Sequence, residues 1–258
     1  MREEPKIIYY RDELEDEFSG DNITPRVIDK NYRYERSALS RLFWYRIVAL
    51  PLAFLYMKLY FHHKIVNKKA LRRAKGQPYF MYGNHTHFLA DALVPTLANL
   101  PKAVSVIVNA NNVSIPYLGR ITPSLGALPL PDDGEAAKNF MGALKRRVER
   151  RECIMIYPEA HIWPYYTDIR PFRELSFRYP VSFHTPVFCL TNTYQKRKFS
   201  GKPKMVTYID GPIYPDGTLP AKEQKKQLRD MVYEKMKERA KNNEVICIRY
   251  EKVKGNEL

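Results

Sequence analysis

At 258 residues, with 45% hydrophobic and 13% aromatic side chains, the chain is too apolar to be disordered and long enough to bury a sizeable core. A formal net charge of +15 favours polyanionic partners, of which nucleic acid and the anionic face of a bilayer are the ordinary candidates. The three cysteines, Cys153, Cys189 and Cys247, sit in separate apolar runs without metal-like spacing, which excludes a disulfide framework and reads as buried thiols in a reducing compartment.

Residues 1–35 form a charged N-terminal arm without sustained periodicity, expected to order only against the domain surface. Residues 1–21 hold eight acidic and three basic side chains, so the rest of the chain carries about +20. No basic stretch followed by an apolar one opens the sequence, so no signal peptide is expected and the chain should stay inside the cell.

The domain proper is expected over residues 36–258. Its first segment, residues 38–62, reads "ALSRLFWYRIVALPLAFLYMKLYFH". Ile47 to Met57 is free of charge but spans only eleven residues, short of the roughly 20 that cross a bilayer. Trp44, Tyr45, Tyr56 and Tyr60 surround it, and Arg41, Arg46, Lys58 and the "KKALRRAK" cluster supply cations, the pattern of an interfacial helix. The competing reading is a core helix broken near Pro51.

From residue 78 short apolar runs alternate with helical patterns: "PYFMY", "AVSVIV", "GALPL", "CIMIY", "PVFCLTN" and "KMVTYID". The helix "EAAKNFMGALKRRVERR" spaces Ala137, Met141, Leu144 and Val148 on one face, and Lys222 to Lys241 does the same with Leu228, Val232, Met236 and Ala240. This rhythm predicts one α/β domain with a mixed, mostly parallel central sheet flanked by helices, ending in the strand "EVICIRYEKV". No repeat or long linker marks a second domain.

The stretch "YGNHTHFLAD", residues 82–91, predicts a strand end, a Gly-Asn turn and a helix start, a common place for reactive side chains. A histidine there becomes a general base on a hydroxyl when a carboxylate holds its other ring nitrogen. His87 and Asp91 are four apart and share a helix face, whereas His85 must reach Asp91 across the turn. His-x-His followed by Asp also admits a metal site, although Leu89 and Ala90 stand where metallohydrolases add further ligands. A second strand end, "CIMIYPEAHIWPYYTDIRPFREL", would bring Glu159 toward His85 if the two strands share a sheet edge.

These segments, in this order, resemble the glycerophospholipid acyltransferase family, whose members move an acyl chain from a thioester to a glycerol hydroxyl. "NHTHFLAD" resembles the family's N-H-x-x-x-x-D block, "IPYLGRITPSLGALPL" its second, "YPEAHI" its F-P-E-G-T-R block, "TPVFCL" its fourth and "YIDGPIYP" its closing turn. The resemblance covers roughly residues 75–215. It implies His85 as catalytic base and Asp91 as its orienting acid. It further implies an acceptor site shaped by Asn84, His87, Tyr157, Pro158 and Glu159, no metal and no cofactor beyond an acyl-CoA or acyl carrier protein co-substrate.

Three departures stand out. Five residues separate His85 from Asp91 where the family has four, and the arginines of the second and third blocks give way to Pro131 or Asp132 and to Ile162. Those arginines bind the acceptor's phosphate in the family. Arg170 or Arg173, eleven and fourteen residues beyond Glu159, could replace them as charge-assisted donors.

The resemblance therefore implies a phospholipid-biosynthetic enzyme at the cytoplasmic face of a membrane, peripheral or monotopic, with an acyl thioester donor and a lysophospholipid-type acceptor. Without a G-x-S-x-G elbow or a cysteine beside a histidine, transfer would be direct, with backbone amides near the helix start stabilising the oxyanion. The rivals are a non-enzymatic lipid-binding protein on the same fold and a metallohydrolase. A nucleic-acid binder is disfavoured because no recognised binding motif is present.

Overall fold

The structure, a computed structural model, describes residues 5–18 and 24–253, so the remainder of the predicted arm and the extreme C-terminus lie outside the described residues. Strand β1 (Lys6–Tyr10) is followed by an apolar helix (Ala38–Leu59) and then by β2 (Lys64–Val66), β3 (Tyr79–Gly83), β4 (Val104–Val108), β5 (Ala127–Pro129), β6 (Cys153–Ile156), β7 (Val187–Arg197) and β8 (Ser200–Ile213). The chain closes with a long helix (Ala221–Ala240) and β9 (Ile248–Lys252).

One sheet runs in the order β2-β8-β7-β3-β6-β4-β5, parallel throughout except where β7 meets β8. Its central strand β3 is buried on both faces, which is why "YFMYG" lacks polar alternation. Phe80 and Tyr82 face a core made with the helix Gly134–Glu149 and the long C-terminal helix, through Phe140, Leu144, Leu228 and Val232. Tyr79 and Met81 face the second core, closed by the helix Phe88–Asn99 and by Ala53, Met57 and Phe61.

The last strand, whose place the sequence left open, lies outside the central sheet and pairs in parallel with β1 of the arm. Arg249, Glu251 and Lys252 are charges that a strand covered on both faces could not carry. Strand β2 was not anticipated, because three residues in "HHKIVN" show no period.

The apolar segment is not a core helix broken near Pro51, and it is longer than its uncharged stretch. Ala38–Leu59 is one helix of 22 residues, long and apolar enough to cross a membrane by length and composition. Pro51 does not break it. The turns Leu42–Ala49 are wound as a π-helix, in which Leu50 N–H donates to Tyr45 five residues back. That wider turn accommodates a proline ring that would crowd the carbonyl four residues earlier in a regular helix.

One face of this helix is tied to the domain. Arg41 donates to the buried Glu152 at 3.1 Å, and Tyr45 OH bonds Thr96 while accepting from Val104 N–H. The other face leaves Leu42, Phe43, Ile47, Leu52, Leu55 and Leu59 exposed. Cys153 and Cys189 are wholly buried, whereas Cys247 is half-buried.

Candidate active site

The parallel strands β3 and β6 are neighbours, so Gly83 and Ile156 end on the same edge of the sheet and their loops face each other. Gly83 allows this close meeting, because a Cβ there would lie 2.5 Å from Met155 Cε and 3.1 Å from both Leu190 O and the Tyr157 ring. Asn84 then pins the turn to β7, donating from Nδ2 to Asn192 O and accepting Asn192 N–H on Oδ1. Both ends of the Asn84 amide are thus used inside the fold.

His85 Nδ1 lies 2.8 Å from Asp91 Oδ2. The same carboxylate oxygen accepts the backbone N–H groups of Thr86 at 2.8 Å and His87 at 2.9 Å. Oδ1 takes the amide of Asn192 at 3.2 Å. The turn is therefore wrapped around the carboxylate, and the extra residue between His85 and Asp91 is absorbed by two additional N–H donors. His87, favoured by helix spacing alone, takes another part. It is the N-cap of the helix Phe88–Asn99, its Nδ1 accepts from Ala90 N–H at 3.2 Å, and its ring packs edge-on against Phe61 and Tyr165. Burial pushes its pKa down despite the pull of Asp91, so it is held neutral, as an acceptor requires.

Tyr157 covers one face of His85, with ring centroids 4.5 Å apart and planes 16° from parallel, and its hydroxyl donates to Asp91 O at 2.5 Å. Pro158 lies beside it, half-buried. Glu159 is buried and accepts His85 N–H at 2.8 Å on Oε2 and Arg170 N–H at 2.9 Å on Oε1. Burial raises its pKa, against the opposing pull of Arg170 and the two N–H donors. His85 is thereby gripped at its backbone by Glu159 and at its ring by Asp91. Among the described residues no group bonds its Nε2.

The two arginines suggested as phosphate donors are otherwise occupied. The Arg170 guanidinium is 1% exposed, donates to Glu13 O and His161 O, lies 3.7 Å from Glu159 and packs on Trp163. Arg173 is exposed and paired with Glu15 of the arm at 2.9 Å. Of the residues at the replaced family positions, Asp132 accepts Ile28 N–H and Ile162 is half-buried. Among the described residues no group of three or more His, Cys, Asp or Glu side chains could hold a metal ion.

An acyltransferase family model matches residues 62–193, just over half of the chain. The chain belongs to the acyltransferase family. No curated protein matches it. Among solved structures it is similar to the 1-acyl-sn-glycerophosphate acyltransferase PlsC from Thermotoga maritima, with a TM-score of 0.51 and 16% identity over 76% of this chain and 81% of that one. At that identity the likeness is one of fold.

In this acyltransferase the residues missed by sequence reasoning are those behind the acid. Asn192 Oδ1 accepts from Thr207 OH at 2.6 Å, and Thr207 Oγ1 lies 2.8 Å from His63 Nε2. A continuous hydrogen-bonded path thus runs from His63 through Thr207, Asn192 and Asp91 to His85. Its signal was available as three consecutive buried polar residues, Thr191, Asn192 and Thr193, in a strand near the middle of the sheet. Because Thr207 donates to Asn192, His63 Nε2 must be the donor to Thr207.

Two outcomes follow. Asn192→Ala removes the donor to Asp91 and leaves Thr207 unmatched, which should cost about 1–3 kcal/mol in urea unfolding and lower kcat more than it raises KM. An unchanged kcat would show that Asp91 needs no outer support. His63 is pushed down to about 4 by burial. Since the unfolded chain then takes up the proton first, the linked stability is complete above a pH of about 6.5 and is lost as pH falls toward 4. Denaturation midpoints should therefore fall more steeply with acid for the wild type than for His63→Gln; equal slopes would contradict this.

Proposed function

We propose that the chain moves a fatty acyl group from an acyl thioester to a hydroxyl of a lysophospholipid-type glycerolipid, with His85 as general base. The observation that carries the reading is the 2.8 Å contact of Asp91 with His85 Nδ1, which leaves Nε2 to the substrate. The acceptor hydroxyl passes its proton to Nε2 as its oxygen attacks the thioester carbonyl. Collapse of the tetrahedral intermediate breaks the C–S bond, and the imidazolium protonates the departing thiolate. No acyl-enzyme forms.

Family membership supports acyl transfer, and the activity for which the Thermotoga maritima fold relative is named makes a glycerolipid acceptor the natural class to test. The N–H groups of His85, Thr86 and His87 are committed to Glu159 and Asp91, so an oxyanion donor from the helix start falls to Phe88 and Leu89. With Arg170 locked and Arg173 paired, neither is placed as the phosphate anchor, and Asn84, Tyr157 and Glu159 serve as positioning groups around the base.

We also place the enzyme on a membrane. The helix Ala38–Leu59 presents an apolar face to solvent, and its C-terminal end reaches the site where Phe61 packs on His87. A lipid acceptor would then approach from the plane of the bilayer, at the cytoplasmic leaflet.

His85→Ala should reduce acyl-CoA turnover with lysolipid vesicles by at least about 10³-fold while the unfolding midpoint stays close to wild type. Asp91→Asn should lose activity comparably, and retained turnover in either would sink the assignment. Screening phosphate-headed against zwitterionic lysolipids identifies the acceptor. Wild-type protein should sediment with vesicles, and a Leu52→Asp, Leu55→Asp variant should remain in the supernatant; equal sedimentation would remove the helix as the membrane contact.

A further inference from the structure

The β7–β8 hairpin reaches well beyond the end of the central strand β3. Leu190 is the residue paired with Gly83 at the end of β3, yet β7 continues through Thr191 to Arg197. At about 3.4 Å per residue this carries the hairpin on the order of 20 Å past the edge where His85 sits. Phe199 at its tip is 98% exposed, and a Cβ on the neighbouring Gly201 would touch nothing.

The hairpin is also basic without compensation. The sequence has no acidic residue between Glu174 and Asp210, and Lys196, Lys198 and Lys202 are exposed. Glu244 from the segment beyond the C-terminal helix accepts Lys196 N–H at 3.0 Å. Among the described residues no ion pair holds the side chain of Lys196, Arg197, Lys198, Lys202 or Lys204. Phe199, exposed among cations that lack ion-pair partners, contributes no packing within the chain itself.

The hairpin is tied to the end of the apolar helix. The Arg197 guanidinium donates to Tyr60 O, Lys202 Nζ lies 5.0 Å from the Tyr60 ring, and Met205 N–H donates to Phe61 O at 3.1 Å. The C-terminal end of the helix, which exposes Leu55 and Leu59, is thus followed directly by residues bonded to the hairpin near its tip. No acidic residue occurs from Arg36 to Ala90 either, while ten lysines and arginines do.

We propose that the β7–β8 hairpin is a second membrane contact, which inserts Phe199 into an anionic bilayer while Lys196, Lys198 and Lys202 meet lipid phosphates. The inference rests on the reading of Ala38–Leu59 as a bilayer-bound helix. A bilayer is favoured over a nucleic acid because the adjoining helix exposes Leu52, Phe54, Leu55 and Leu59 together, an apolar surface that acyl chains would cover and a polyanion in water would not. An aromatic tip flanked by cations suits the boundary between acyl chains and headgroups. The same strand carries Asn192, the donor to Asp91, seven residues before Phe199. The hairpin thus sets the height of the base above the lipid.

The test uses the full-length Phe199→Trp protein on phosphatidylcholine vesicles with and without phosphatidylglycerol, with brominated acyl chains as quenchers. After subtraction of the wild-type signal from Trp44 and Trp163, emission from position 199 should shift to the blue and be quenched by the brominated chains. Lys198→Glu, Lys202→Glu should weaken binding to the anionic vesicles about tenfold or more and leave neutral vesicles little changed. Emission that stays open to aqueous iodide while the protein sits on the vesicles would overturn the hairpin contact and leave the helix reading standing. Failure of the wild type to bind any vesicle would overturn both. Protection of position 199 by single-stranded nucleic acid, or by self-association in solution, without protection by lipid would replace the bilayer with that partner.

Discussion

A single carboxylate organises the site. Asp91 takes one imidazole nitrogen, two backbone N–H groups and one side-chain amide, and the chain from His85 to His87 has no freedom left once those bonds form. A buried anion is tolerable only when its lone pairs are met by donors of this kind. The cost of leaving Asp91 unpaired is what drives the turn into its shape, so the position of the His85 imidazole follows from the solvation of the Asp91 carboxylate.

That arrangement depends on strand order. With β6 and β7 on either side of β3, the loop after β3 is held from both flanks, by Glu159 following β6 and by Asn192 on β7. Burial on both faces makes the three strands rigid, and Gly83 lets Tyr157 slide beneath the turn onto the His85 ring. The acidic arm adds a last layer, because Arg170, whose N–H bonds Glu159, is itself held by Glu13. Charges that would otherwise be available to a ligand are used to brace His85.

The α/β class and the central strands were legible because fully buried strands are written as short apolar runs, and the helices around Leu144 and Leu228 because their apolar spacing is regular. The site was legible in part. The strand, turn and helix around His85 could be placed, but spacing alone could not choose between His85 and His87, since helix spacing says nothing about a residue outside the helix; only the family resemblance favoured His85. Arg170 looked like a ligand-binding group because its contacts with Glu13 and Trp163 join distant parts of the chain. Asn192 was marked only by the polar run Thr191 to Thr193 inside an otherwise apolar strand, and its partners Asp91 and Thr207 lie elsewhere along the chain. The helical segment at residues 38–62 was legible, but counting only its uncharged residues understated its apolar length, because Arg41 and Arg46 are accommodated by contacts to Glu152 and Pro101.

The central claim is that Asp91 holds His85 with its proton on Nδ1 and leaves Nε2 as the base. Nitrogen-15 NMR of histidine-labelled protein reads this tautomer directly. The account predicts the Nδ1–H form for neutral His85, with a downfield Nδ1 proton resonance that disappears in Asp91→Asn. An Nε2–H tautomer for His85, or a downfield resonance that survives the substitution, would contradict it.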